Sequence, residues 1–123
     1  MSRASEAIFE LGRRLGLGEL AFEPPEALSL DVAGVGRLSF EAAFGDDLLA
    51  SLAWPPPPYD RETLPAALEL CAPDRRHPRP LKASLFKDDV VLSVLLPESE
   101  IAAPELERVM LWLLSLRENL LKR

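Results

Sequence analysis

An α+β domain in the order helix, three strands, helix, two strands, helix follows from three observations on the sequence. The two ends carry apolar residues at helical spacing, and three consecutive segments between residues 28 and 54 carry them at every second position. The prolines, 12 among 123 residues, cluster in the gaps between these segments and act as punctuation. Apolar residues make up 48% of the chain and charged residues 28%, enough for a buried core, so a single domain over residues 1–123 is expected.

Residues 2–15 read as an amphipathic helix. Ala4, Ile8, Leu11 and Leu15 recur on one face, Ser2 caps the start, and Gly16 supplies a left-handed stop. Phe9 falls off that stripe. Gly12 sits inside the helix, where glycine costs about 1 kcal/mol against alanine, which implies a close backbone approach there.

After Pro24-Pro25, Leu28, Leu30 and Val32 alternate with Ser29 and Asp31 as a half-buried strand. Leu38, Phe40, Ala42 and Phe44 alternate with Arg37, Ser39 and Glu41 as a second strand. Gly45-Asp46-Asp47 turns the chain into a third, Leu48 to Trp54. Short turns between all three make an antiparallel meander.

Pro55–Pro58 donate no ladder hydrogen bonds and end the meander in an extended, polyproline-like stretch. A short helix is expected from Thr63, as cap, to Cys71, with Leu64, Leu68 and Cys71 on one face. Residues 72–80 form a basic, proline-rich loop. Leu81–Lys87 and Val90–Leu96 flank Asp88-Asp89 as a second hairpin, and the latter strand, apolar on both faces, is expected to be central and covered. The last helix runs from Ala103 or Pro104 to Leu121. Its apolar stripe (Leu106, Val109, Met110, Leu113, Leu116, Leu120 and Leu121) is widened by Leu111, Trp112 and Leu114. It must be covered on more than one side, by the sheet and first helix or by a second subunit.

The composition narrows the function. Fourteen basic residues against twenty acidic ones give a net charge of -6, which disfavours nucleic acid and anionic membranes. The longest apolar run, Val109–Leu114, is far short of the roughly 20 residues of a spanning helix. A lone cysteine, Cys71, and the lack of a charged-then-apolar leader place the chain in the cytoplasm.

No set of reactive residues assembles. His77, alone among arginines, is a poor metal ligand and is expected to be a solvated loop residue. Cys71 lacks a neighbouring base, and Asp46-Asp47 and Asp88-Asp89 are explained by hairpin turns. Gly12, Gly16 and Gly18 follow a helix instead of opening one, so they are no phosphate loop. Arg75, Arg76, Arg79 and Lys82 form the one positive cluster, a solvated loop or a dock for an acidic segment. No catalytic residue, metal or cofactor is expected, and the chain reads as a binding protein, not an enzyme.

Glu10-Leu11-Gly12-Arg13-Arg14-Leu15-Gly16-Leu17, leading into a meander that ends in Leu52-Ala53-Trp54, resembles the opening of bacterial class I type III secretion chaperones, of the Tir-chaperone type. The short middle helix, the second hairpin ending in Leu95-Leu96-Pro97 and the leucine-rich last helix agree with that pattern. The four-proline run and the arginine-rich loop depart from it. The resemblance implies a cytoplasmic homodimer that binds an extended, N-proximal segment of a secreted effector without cofactor or nucleotide. On that reading the segment lies along Ile8, Phe9, Leu17, Leu28, Leu30, Phe40, Phe44 and Trp54, and it adds a strand at a sheet edge. The dimer would use Leu64, Leu68, Leu81, Ala83 and Leu85. The alternative is a non-catalytic regulatory or structural subunit of another bacterial assembly, binding a folded partner.

Overall fold

The first helix, α1 (Arg3–Arg14), starts where Ser2 Oγ accepts from the Ser5 amide at 3.1 Å, and it ends before Gly16, whose φ is 72°. The computed structural model describes residues 2–22, 27–72 and 75–122. Pro24-Pro25, and Pro73 and Asp74 of the basic loop, lie outside the described residues. The close approach expected at Gly12 is present: a Cβ there would stand 2.7 Å from the Gly18 carbonyl oxygen and 2.7 Å from Leu20 Cγ. Gly12→Ala gains about 1 kcal/mol of helix propensity. The backbone clash costs about 1–3 kcal/mol, so the variant should be the less stable protein. A urea midpoint above that of the parent would overturn this.

Five antiparallel strands make one sheet: β1 (Leu28–Val32), β2 (Gly36–Ala42), β3 (Leu48–Trp54), β4 (Leu81–Phe86) and β5 (Asp89–Leu96), in the spatial order β1-β2-β3-β5-β4. The register places Leu28, Phe40, Ala50, Val94 and Leu81 side by side across all five strands. Period-two alternation thus aims every second side chain at one inner face. Over that face lie the helices. α2 (Thr63–Leu70) packs on β4 and β5, and α3 (Ala103–Leu121) packs on β3 and touches both α1 and α2. Ile8, Leu11, Phe40, Leu52, Leu92 and Leu113 meet there with no exposed surface. Leu106, Val109, Leu113 and Leu120 of α3's stripe are therefore buried, whereas Met110 and Leu116 are half-buried and Leu121 is exposed.

Several expectations are corrected in detail. β2 stops at Ala42: the Ala43 amide still donates to the Asp47 carbonyl at 3.0 Å in the β2–β3 register, and the chain then turns through Gly45 (φ 66°), with the Asp47 amide donating to the Phe44 carbonyl at 3.4 Å. Phe44 therefore leaves the strand. Thr63 does not cap α2 but is its buried first residue. The cap comes from the Asp60 carboxylate, which accepts from the amides of Glu62 (2.7 Å) and Thr63 (3.0 Å) and from the Thr63 hydroxyl. The face that α2 buries is Thr63, Ala66 and Ala67, small residues that let the helix approach β4 closely; Leu64 and Cys71 lie half-buried at its rim and Leu68 is exposed. Lys87 and Asp88, with φ of 49° and 70°, form the two-residue turn between β4 and β5, so β5 begins at Asp89.

Hydrogen bonds from the Thr63 hydroxyl, then from the Glu62 and Thr63 amides, hold the Asp60 carboxyl below the usual carboxylate range. A carboxyl whose folded pKa is depressed stabilises the fold fully above its unfolded pKa and loses that contribution as pH falls through the folded value. On acidification the first-turn amides of α2 should lose exchange protection, and Asp60→Asn should abolish that pH dependence. Unchanged acid sensitivity in Asp60→Asn would refute the assignment.

Candidate functional site

Surfaces left open by the core are the places where a partner or ligand can be met. Among the described residues, no three His, Cys, Asp or Glu side chains gather as a metal group, and no helix is long and apolar enough to cross a membrane. Burial pushes the Cys71 thiol up, away from its reactive thiolate form.

The basic loop is more structural than expected. His77 is not a solvated side chain: its Nε2 lies 2.7 Å from the Leu70 carbonyl oxygen at the end of α2, and its ring packs on Trp112 at 5.5 Å. Arg79 bridges Glu100 (3.2 Å) and Glu105 (2.9 Å). Burial alone would lower the Arg79 pKa, but the bonds to Glu105 and Glu100 outweigh it and raise it. His77 and Arg79 therefore tie residues 75–80 to α2 and α3, which removes Arg79 from any free positive patch. This loop also covers the Trp112 side of α3, a role the sequence reading left to the sheet, the first helix or a second subunit.

The eight residues expected to hold a partner segment do not form one groove. Ile8, Phe40 and Trp54 are fully buried inside the chain's own core, so they are packing residues and not part of an open surface. Phe9 on α1 is half-buried, and so are Leu28 and Leu30 on β1. Leu17, after α1, is exposed, and Phe44, at the β2–β3 loop, is 96% exposed. Strand β1 is an edge: it pairs with β2 alone, and its half-buried leucines form an apolar rim beside an open ladder. Near the start of α1 a cleft of about 320 Å³ runs between Ser2, Arg3, Ala4 and Phe22 on one side and Ala42 and Asp47 on the other.

The five residues expected at a dimer contact are better gathered. Leu64 and Leu85 line one cleft of about 460 Å³, together with Pro56, Pro65 and Val90 and the charged Asp60, Arg61 and Asp88. Leu68 follows one turn after Leu64 and is 51% exposed, and Leu85 is 53% exposed. Ala83 is half-buried, whereas Leu81 is buried in the core. Strand β4, like β1, is an edge.

A third surface was not expected. Strand β5 is central, as its apolar run implies, but only one of its faces is buried. On the outer face Leu95 stands opposite Leu49, and Val91 opposite Ala53. Between these pairs Ser29, Ser39, Ser51 and Ser93 align in register across four strands, with hydroxyl contacts of 3.0 Å and 3.1 Å. The unbroken apolar run was the signal for Val91 and Leu95, and within one chain no element covers that outer face among the described residues.

No family model matches this sequence, and no curated protein matches it in sequence. Solved structures do match the fold. A chain of the HopA1–SchA chaperone–effector complex superposes with a TM-score of 0.74 at 16% identity, over 98% of this chain and 94% of that one. The Yersinia pestis type III secretion chaperone SycH, solved with a stable fragment of YscM2, gives 0.72 at 17%, over 95% of this chain and 98% of that one. The heterodimeric ExoU–SpcU complex of the Pseudomonas aeruginosa type III secretion system gives 0.62 at 18%, over 92% and 93%. At these identities the likeness is one of fold, and it spans nearly the whole of each chain.

Proposed function

We propose that this protein is a class I type III secretion chaperone acting in the bacterial cytoplasm. It holds an extended, N-proximal segment of a secreted effector, keeps that segment soluble and non-globular, and presents it for export. The observation that supports this most strongly is the end-to-end fold likeness to chains from chaperone complexes, two of them solved with an effector or a partner fragment. The surfaces agree with such work. The β1 edge offers backbone groups for an added strand, and its leucine rim, with Leu17 and Phe44, offers apolar contacts for alternate side chains. The protein works as a homodimer joined through the α2–β4 surface of Leu64, Leu68 and Leu85. No step needs a cofactor, and no residue acts as a catalyst.

Purification from native cells, with identification of what comes along, followed by hydrogen exchange on that partner, tests the proposal. Protection over a long segment that exchanges freely when the partner is alone is the expected result. A compact footprint on a folded partner would replace this reading with that of a regulatory subunit. Leu17→Glu combined with Phe44→Glu should leave the fold intact, because both side chains are already more than half in water. The pair should weaken capture roughly tenfold or more, a loss of at least about 1.4 kcal/mol. Undiminished capture would place the binding surface elsewhere.

A further inference from the structure

We propose that Pro55–Tyr59 is a docking site for a partner protein that reads polyproline through a groove lined with aromatic side chains. The conformation follows from the sequence. Each proline holds its φ at about -65°, and a residue that precedes a proline is kept extended. Pro55, Pro56 and Pro57 each meet both conditions. The Asp60 amide donates to the Pro57 carbonyl at 3.0 Å, and Tyr59 sits at a φ of 64°. Those are the marks of a type II turn, which keeps Pro58 extended as well. Four consecutive residues therefore run as one piece of left-handed polyproline helix.

Its presentation fits such a reader. With about three residues per turn, Pro55 and Pro58 share one edge, Pro57 makes the second and Pro56 the third. Pro56 is half-buried against the cleft of Leu64 and Leu85, while Pro55, Pro57 and Pro58 are exposed. One edge is held on the domain and two face outward. Tyr59 is fully exposed at the end of the run, in a left-handed conformation that favours glycine. A bulky ring at that position serves no packing within the described residues. Both ends of the segment are fixed, by the buried Trp54 and by the Asp60 carboxylate bonded to the amides of Glu62 and Thr63. A partner would find the segment already ordered, which lowers the entropy lost on binding. Aromatic-lined grooves are a recurring means of reading such helices, and the order Pro56-Pro57-Pro58-Tyr59 sets two exposed prolines beside an exposed ring. This inference does not rest on the proposed chaperone role.

The test titrates the full-length protein into an isotope-labelled WW domain, as a probe with a defined polyproline groove, and follows the probe by NMR. The expected result is saturable shift changes at the groove aromatics, weakened roughly tenfold or more by Tyr59→Gly and by Pro58→Ala. Tyr59→Gly places at the turn the residue that it favours, so the variant keeps its circular dichroism spectrum and any loss reports the contact. Leu17→Glu should leave the titration unchanged. Absence of shifts up to about 1 mM, shifts away from the groove, or equal binding by the Tyr59 and Pro58 variants would each overturn the proposal.

Discussion

Trp54→Ala should lower the unfolding free energy by about 3–5 kcal/mol, whereas Phe44→Ala should change it by less than about 0.5 kcal/mol. Both were expected to line one binding surface. Trp54 ends β3 on the inner face, opposite Val90, with no exposed surface. Gly36, on the neighbouring strand, makes room for it: a Cβ there would stand 3.0 Å from Trp54 Cβ and 2.2 Å from the Ala53 carbonyl oxygen. Removal of the indole opens a cavity bordered by a sheet backbone that cannot collapse into it. The indole Nε1 is buried and, among the described residues, has no hydrogen-bond partner. Trp54→Phe deletes that orphan donor along with some volume, so it should cost distinctly less than Trp54→Ala. Chemical denaturation followed by circular dichroism measures all three variants. A Trp54→Ala protein as stable as its parent would mean that Trp54 is a surface residue after all.

The contrast between Phe40 and Phe44 shows where sequence reading reached its limit. They share parity on the expected second strand, and alternation alone assigns both to the inner face. The turn from Phe44 to Asp47, with Gly45 at a φ of 66°, takes the chain out of the ladder between them, and the first is buried while the second stands in water. Element order and the bounds of β3 were legible because half-buried strands write their burial into every second residue. Helix α2 was legible as a helix but not in its rotation. Two alanines and a threonine face the sheet there, and small residues carry little hydrophobic signal even when close approach makes them the buried face. The run Val90–Leu96 reported that both faces of β5 are apolar and was silent on what covers the outer one. His77 and Arg79 looked solvated because their partners, Leu70, Glu100, Glu105 and Trp112, are distant or unremarkable in sequence. Turn chemistry and periodicity are local, while grooves and partner surfaces arise where distant elements meet.

Leu68→Glu combined with Leu85→Glu should convert the proposed homodimer into a folded monomer, weakening association by about 4 kcal/mol, roughly a thousandfold. The two leucines lie on α2 and on the edge strand β4, beside the cleft, and each keeps about half of its surface in water. Such exposure makes them cheap to replace in the monomer, where a surface substitution changes stability by about 0.5 kcal/mol or less. In a two-fold dimer each substitution occurs twice, because the same patch meets itself. Four leucines would then become four carboxylates, brought against one another and against a cleft whose Asp60 and Asp88 already outnumber Arg61, and buried charge in excess of its partners is strongly unfavourable. The chain's net charge of -6 adds a further repulsion that weakens with salt. Leu81→Ala is the informative contrast. Its side chain is buried within one chain, so it should lower stability by about 2–5 kcal/mol and, where the protein remains folded, leave association unchanged. Sedimentation at graded protein concentration, with denaturation curves on the same samples, separates the two effects. A parent protein that is monomeric at high concentration, or a doubly substituted one that stays dimeric, would remove α2 and β4 from the interface and leave the apolar outer face of β3 and β5 as the surface to be explained.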